Sequence, residues 1–173
     1  MGRAIILCGF KSCGKTYFGK KLALKLGFHF IDTDELLIKN GNVRNLALFL
    51  GETKFRDLES HVIESIHLKS HAVIATGGGV VLRKCNVDYL KNLGPIVYLE
   101  CDKSVIKDRM IKNDTPAFLD PTDVEGSFEK MYCERKLIYE SASDYIVHLA
   151  YRSDELVLED LKTIFENILP LNI

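Results

Sequence analysis

Gly9-Phe10-Lys11-Ser12-Cys13-Gly14-Lys15-Thr16 is the stretch that decides the fold, and it matches the pattern G-x-x-x-x-G-K-[ST] at every fixed position. The apolar run Ala4-Ile5-Ile6-Leu7-Cys8 before it is typical of a buried strand. Residues 15–26 after it have the apolar spacing of an amphipathic helix. A strand, a glycine-bearing loop and a helix in this order surround one concavity with backbone N–H groups, which bind phosphate. We therefore predict a nucleotide-binding loop rather than an ordinary turn that contains glycine.

The loop residues have distinct predicted roles. Gly9 and Gly14 let the backbone approach the phosphate oxygens, Lys15 reaches the β- and γ-phosphates, and the Thr16 hydroxyl ligates Mg²⁺. The expected ligands are ATP, as a co-substrate, and Mg²⁺. The residues predicted to bind the nucleotide from the loop are Gly9, Lys11, Ser12, Cys13, Gly14, Lys15, Thr16 and Tyr17.

Composition narrows the class of protein. The chain has 173 residues, of which 47% are hydrophobic, and its net charge of −1 comes from interspersed charges of both signs. This favours one folded domain over residues 1–173 and gives no electrostatic basis for nucleic-acid binding. The five cysteines are scattered and never form C-x-x-C, so we predict neither disulfides nor a zinc site. A signal-type segment and a run of membrane-spanning length are both missing from the sequence, which predicts a cytoplasmic protein with no membrane partner.

Strands and helices are predicted to alternate along the chain. Each predicted strand is a near-continuous apolar run, which is typical of a parallel sheet covered on both faces. The expected fold is α/β, with three α/β/α layers around a five-stranded parallel sheet. Predicted strands are 4–8, 28–32, 72–75, 96–99 and 145–149, and the main predicted helices are 15–26, 52–70, 84–93, 103–112 and 154–169. Ligands bind at the carboxyl ends of such strands, where the loop, Asp32-Thr33-Asp34 and Gly77-Gly78-Gly79 all fall.

Residues 113–126 differ from their surroundings. They contain Pro116 and Pro121 among repeated Asp and Thr residues, which disfavour a regular element. We interpret them as a mobile lid that closes over the phosphates and excludes water. A passive surface loop is the alternative.

Two carboxylates follow the second strand. The third strand ends without a carboxylate, so Asp32 is the candidate to hold Mg²⁺, directly or through water. An extended backbone points Asp34 to the same side, where it would orient an acceptor hydroxyl and take its proton. Asp34 also precedes a helical pattern, so its alternative role is a helix N-cap.

Two arginines are candidates to bind an acidic acceptor. Arg56 and Arg135 have the planar fork that binds a carboxylate or a phosphate. Taken singly, each is more typical of a solvated helix charge that pairs with Glu59 or Glu134.

Taken together, these residues resemble the shikimate kinase family of P-loop kinases. Its motifs occur in family order as Gly9 to Thr16, Asp32-Thr33-Asp34, Phe55-Arg56-x-x-Glu59, Gly77-Gly78-Gly79 and Arg135-x-Leu137-x-Tyr139. The resemblance covers nearly the whole chain. It implies phosphorylation of the 3-hydroxyl of shikimate by ATP, in chorismate and aromatic amino acid biosynthesis, by a monomer.

The resemblance also implies a role for each matching residue. Asp34 looks like the base that holds the shikimate hydroxyls, and Asp32 like the residue that binds magnesium through water. Arg56 and Arg135 match the pair that grips the shikimate carboxylate. The remaining members of the implied site are Glu59, which supports Arg56, the backbone of Gly77, Gly78 and Gly79, and Arg109, which is similar to a residue beside adenine.

One position departs from the family pattern. The family carries Arg-Pro-Leu-Leu in the lid, whereas Thr115 stands here where that arginine is expected. Either another cation replaces it, with Lys112 and Arg109 as the nearest candidates, or catalysis is weak. The alternatives are a nucleotide-binding module without turnover and a kinase for another small acid such as gluconate, or for a nucleotide. Retention of Asp32 and Asp34 favours an active enzyme, because nucleotide binding alone requires neither.

Overall fold

A five-stranded parallel sheet forms the centre of the computed structural model, which describes residues 2–38, 42–113, 117 and 119–167. The strand order is β2-β3-β1-β4-β5, and every neighbouring pair is parallel. The strands are β1 Ala4–Cys8, β2 His29–Asp32, β3 Ala72–Ala75, β4 Ile96–Glu100 and β5 Tyr145–His148. The predicted α/β class and the predicted number of strands are confirmed.

Helices cover both faces of the sheet. α1 packs against β3 and α8, whereas α5 packs against β1 and α4, and α7 packs against β4. All five residues of β1 are buried, and successive strand residues point to opposite faces, so both faces need a helical cover. The helices are α1 Lys15–Leu26, α2 Thr33–Leu37, α3 Val43–Leu50, α4 Glu52–Glu64, α5 Lys84–Leu93, α6 Lys103–Asn113, α7 Val124–Ala142 and α8 Asp154–Glu166.

The central strand β1 determines where the site forms. Leu7 of β1 pairs with Ala75 of β3 on one side and with Val97 of β4 on the other. The chain continues from β1 to the far edge at β2, and later crosses to β4 on the opposite side. The carboxyl end of β1 therefore lies at the switch point where open parallel sheets bind ligands.

Helix α4 is shorter than predicted. It ends at Glu64, not at residue 70, and the Ile66 N–H donates to the Ile63 carbonyl in a tightened last turn. Ile66 is buried and Leu68 packs against the core, although neither lies in the helix. These two residues continue the apolar spacing beyond the true end of α4, which explains the error.

Helix α7 begins inside the segment predicted as a lid. Asp123 caps it by accepting a hydrogen bond from the Gly126 N–H at 2.9 Å, and Asn113 is the last residue of α6. Both ends of the 113–126 prediction are therefore helical, and residues 114–116 and 118 lie outside the described residues. The sequence analysis considered Arg135 as a helix charge but gave no bounds for a helix over 127–142.

None of the helices in the described part of the chain combines the length and the apolar character that a membrane crossing requires.

Candidate active site

The loop between β1 and α1 has the backbone of a phosphate-binding nest. Gly9 and Gly14 have φ angles of 139° and 110°, and Ser12 also adopts a positive φ of 66°. Gly14 is the N-cap of α1 and supplies no side-chain acceptor to the N–H groups of the first turn. Gly14, Lys15 and Thr16 line the cavity described below, as anion binding at a helix N-terminus requires.

The Lys15 side chain is hydrogen-bonded to the backbone of this loop. Its Nζ donates to the carbonyl oxygens of Gly9 and Phe10 at 2.8 and 2.7 Å, and the residue is buried. These two acceptors are neutral, and a charged phosphate oxygen forms a stronger hydrogen bond with an ammonium. The lysine is therefore held in place and can exchange its acceptors for phosphate.

Thr16 and Asp32 bring two hard oxygen donors together. The Thr16 hydroxyl donates to Asp32 Oδ2 at 2.7 Å, and Asp32 Oδ1 accepts the Asp34 N–H at 3.0 Å. Hydroxyl and carboxylate oxygens suit Mg²⁺, which usually takes few protein ligands and completes its shell with phosphate and water. No group of three or more His, Cys, Asp or Glu residues among those described forms a metal cage. The donor set fits a magnesium ion carried by a nucleotide.

Asp34 does not cap helix α2. Asp32 is the N-cap of α2, so the predicted alternative role of Asp34 as the cap is wrong. Asp34 lies in the first turn of α2 and lines the cavity. Burial is the main cause that raises its pKa, and the charge of Asp32 adds to it, while Lys15, Lys11 and Arg56 act in the opposite direction. A raised pKa brings a carboxylate closer to the range in which general bases work.

The glycine triplet makes room for functional side chains. A Cβ on Gly77 would lie 2.4 Å from Asp34 Oδ1, and a Cβ on Gly79 would lie 1.8 Å from Arg56 Nη1. Both distances are far below van der Waals contact. The sequence analysis placed the backbone of this triplet in the ligand site, and the structure adds that Gly77 and Gly79 leave space for Asp34 and Arg56.

Arg56 and Glu59 form a buried ion pair on α4. Arg56 Nη1 donates to Glu59 Oε2, and the two residues are only 8% and 3% exposed. The interpretation of Arg56 as a solvated helix charge is therefore wrong. Burial raises the pKa of Glu59, and the neighbouring guanidinium opposes that shift. The pair fixes a planar cation at the cavity wall, where it can bind a carboxylate.

Arg135 reaches the same cavity from α7. One turn further along, the hydroxyl of the buried Tyr139 donates to the Gly78 carbonyl at 2.6 Å. The Tyr139 ring also packs edge-on against Phe10, with ring centres 4.8 Å apart. Tyr139 thus joins α7 to both the glycine triplet and the loop, a positioning role that the sequence analysis did not assign.

Arg109 of α6 lies beside the loop. Its Nη1 donates to the Ser12 carbonyl at 3.1 Å, and it lines the cavity next to Met110. Lys112, the other candidate replacement for the lid arginine, is exposed and is not among the described residues that line the cavity. Thr115 lies outside the described residues.

One cavity of about 480 Å³ contains both the loop and the arginines. Helix α3 supplies a wall that the sequence analysis missed, through Val43, Arg44 and Ala47. The spacing of Val43 and Ala47 on one face of a short helix was the available signal. The predicted site residues that line the cavity are Lys11, Ser12, Gly14, Lys15, Thr16, Tyr17, Asp32, Asp34, Arg56, Glu59, Gly78, Gly79, Arg109 and Arg135. The predicted residues Gly9, Cys13 and Gly77 do not line it.

Comparisons with known proteins agree with this arrangement. A model of the family described as shikimate kinase matches residues 11–167. The chain belongs to the shikimate kinase family. It is 36% identical to the shikimate kinase of Thermodesulfovibrio yellowstonii over 166 residues, which are 95% of each chain. It is 39% identical to that of Caldanaerobacter subterraneus subsp. tengcongensis over 160 residues, 91% of this chain and 92% of the relative.

A solved structure of the family has the same fold. The shikimate kinase of Acinetobacter baumannii, in complex with shikimate, is 26% identical and has a TM-score of 0.86. The likeness covers 98% of this chain and 97% of that one. Five short motifs suggested membership of the shikimate kinase family. Similarity over nearly the full length of the chain confirms it.

Proposed function

We propose that this chain transfers the γ-phosphoryl group of MgATP to the 3-hydroxyl of shikimate, in chorismate and aromatic amino acid biosynthesis. The observation that carries the proposal is a single cavity with a phosphate-binding loop at one end and the buried Arg56–Glu59 pair at the other. Asp34 lines the same cavity. The family supports the substrate, since a relative of closely similar fold is described in complex with shikimate.

The acceptor carboxylate is bound by two guanidinium groups. Arg56 is held by Glu59, and Arg135 lines the same cavity from α7. The fork geometry of each guanidinium matches the two oxygens of a carboxylate. Binding at this end leaves the ring hydroxyls to face Asp34 and the loop.

Asp34 accepts the proton of the reacting hydroxyl. As the hydroxyl oxygen bonds to the γ-phosphorus, the bond from that phosphorus to the β–γ bridging oxygen breaks, and its electron pair leaves with ADP. The raised pKa of Asp34 makes its carboxylate a stronger proton acceptor than an exposed aspartate. The products are ADP and shikimate 3-phosphate.

The loop and its neighbours hold the nucleotide. N–H groups at the start of α1 and the Lys15 ammonium bind phosphate oxygens, and Arg109, which donates to the Ser12 carbonyl, binds beside the adenine. Thr16 and Asp32 would hold Mg²⁺. When bound, Mg²⁺ neutralises charge on the β- and γ-phosphates.

A coupled assay of ADP production tests the proposal. With MgATP, we expect turnover with shikimate and none with gluconate, CMP, AMP or no acceptor. Turnover with another acceptor would retain the kinase class and reject the substrate. Protein that binds ATP but turns over no acceptor would instead be a nucleotide-binding module.

The same proposal includes a single domain over residues 1–173 that acts as a monomer in the cytoplasm. Light scattering coupled to gel filtration measures the mass directly. A mass near 19.6 kDa is the expected result, and twice that value would reject the monomer.

A further inference from the structure

Lys11 is a cation of the cavity that belongs to the phosphate-binding loop and lies next to the glycine triplet. It is the third residue of the phosphate-binding loop and lines the cavity together with Asp34. Its backbone nitrogen lies 3.3 Å from the point that a Cβ on Gly78 would occupy. Lys11 therefore stands where the loop meets the glycine triplet of the acceptor end.

We propose that Lys11 is a further catalytic residue, whose ammonium binds the equatorial oxygens of the phosphoryl group during its transfer from ATP to the acceptor hydroxyl. This inference rests on the proposed function. Phosphoryl transfer spreads negative charge over these oxygens, and a cation supplied at this point accelerates the reaction strongly in other phosphotransferases.

The other cations of the cavity have different places. Lys15 Nζ donates to the Gly9 and Phe10 carbonyls from the first turn of α1, where it binds the nucleotide phosphates. The Arg56 guanidinium is fixed at the acceptor end by Glu59, and Arg109 Nη1 donates to the Ser12 carbonyl. Arg44 and Arg135 line the cavity from α3 and α7. Lys11 is the loop lysine next to the glycine triplet.

The electrostatics of the base agree with this placement. The Lys11 charge lowers the pKa of Asp34, against the larger effect of burial, which raises it. A cation that acts on the carboxylate of the base is also near the hydroxyl that the base orients. The γ-phosphoryl group must pass through the same space.

Lys11→Met, Lys11→Arg and the control Lys162→Met test the inference. Lys162 is a lysine of α8 that pairs with Glu159 and Glu166 and does not line the cavity. Lys162→Met therefore removes one positive charge, as Lys11→Met does, without changing the cavity. We expect Lys11→Met to lower kcat by about 10²-fold or more, as for loss of one preorganised charge donor. Lys11→Arg should recover most of this loss, and Lys162→Met should leave kcat unchanged.

A second readout separates catalysis from binding. The dissociation constant of ATP, measured by calorimetry, should change much less than kcat in Lys11→Met. If Lys11→Met does not fold, Lys11→Gln provides the same comparison with a polar side chain.

The inference is overturned if Lys11→Met retains kcat within twofold of the parent protein. It is also overturned if the loss appears only as weaker ATP binding, since Lys11 would then bind the nucleotide equally in the ground and transition states. Failure of the proposed function gives a different result, because the parent protein itself would show no turnover with shikimate.

Discussion

At the scale of single residues, Asp34 combines a cost in stability with a gain in chemistry. Its pKa in the folded chain is raised, chiefly by burial and then by Asp32, so the folded chain favours its neutral form. In the unfolded chain the pKa of Asp34 is near the ordinary value of 3.8. Below that pH the carboxyl is protonated in both states, so it does not lower the free energy of unfolding. As the pH rises above that value, the buried carboxylate destabilises the fold. An active-site residue that is kept at such a cost is typical of a stability–activity trade-off.

Asp34→Asn should therefore abolish activity and stabilise the protein. We expect kcat to fall by about 10²–10⁴-fold, the usual contribution of a general base. At neutral pH the midpoint of thermal unfolding should rise by about 2–4 °C, the usual shift for a gain of about 1 kcal/mol in a chain of this size. Calorimetry at pH 7 and pH 4 checks this, because the gain should shrink at the lower pH. An unchanged or lower midpoint at pH 7 would contradict it.

The pH dependence of the parent enzyme follows from the same group. The base must be ionised, so kcat/KM should fall as the pH decreases through the pKa of Asp34. That limb should lie above the ordinary carboxylate value of 3.8, because the pKa is raised. A profile measured with saturating MgATP tests this, and a limb below pH 3.8 would rule out Asp34 as the group that it reports.

Gly79→Ala should act on the acceptor through Arg56. Gly79 has a φ of −104°, so the added methyl meets no conformational barrier and its effect is steric. It would displace the Arg56 guanidinium, and we expect the KM for shikimate to rise about tenfold or more, as for loss of a charged hydrogen bond. The KM for ATP serves as the internal control and should change little. Equal increases in both constants would indicate a general distortion instead.

At the scale of secondary-structure elements, the turn from β2 into α2 has two functions. Asp32 caps α2 through the Asp34 N–H and accepts the Thr16 hydroxyl of α1. The metal-binding oxygens are thus aligned by the same hydrogen bonds that start the helix. Asparagine is also a good N-cap but carries no charge, which allows the two functions to be separated.

Asp32→Asn should accordingly weaken magnesium use without unfolding α2. We expect the Mg²⁺ concentration for half-maximal activity to rise about tenfold, in line with the cost of losing one charged interaction. The thermal midpoint should stay within about 2 °C of the parent value. Titration of Mg²⁺ at fixed ATP gives the first quantity. An unaltered magnesium requirement would remove Asp32 from the metal site.

Helix α7 is connected to the acceptor pocket through Tyr139. Tyr139→Phe would remove the hydrogen bond that the Gly78 carbonyl accepts from the Tyr139 hydroxyl. We expect the free energy of unfolding to fall by about 1–2 kcal/mol. The KM for shikimate should also rise severalfold, because Arg135 shares the helix with Tyr139. Tyr151→Phe is the matched control, since Tyr151 is fully exposed. Urea denaturation and steady-state kinetics measure both effects, and equal results for the two variants would contradict the link.

The elements also show what sequence reasoning reached and where it stopped. The loop and the alternation of strands and helices were predictable, because local patterns encode both. The burial of Arg56 was not, because helical spacing to Glu59 looks the same for an exposed pair and a buried one. The requirement for Gly79 was also hidden, since it depends on a side chain 23 positions away that only the folded chain brings near.

At the scale of the whole molecule, the strand order determines the reaction path. The loop follows β1, Asp34 follows β2 and the glycine triplet follows β3, and these three strands are neighbours in the order β2-β3-β1. Parallel strands end at the same edge, so three short segments from distant parts of the sequence meet there. Arg135 and Arg109 enter from helices on the β4 side, after the crossover.

The continuity of the cavity has a consequence for inhibitor design. Because the loop and the buried arginine line a single space of about 480 Å³, no protein wall separates the two substrates. One compound that joins an adenosine polyphosphate to a ring carboxylate can therefore occupy both ends. Its second half would bind intramolecularly, with an effective concentration that reaches the millimolar range for short linkers. Such a compound would gain affinity from the linkage itself, and its acidic half would distinguish this kinase from the many proteins that share only the nucleotide loop.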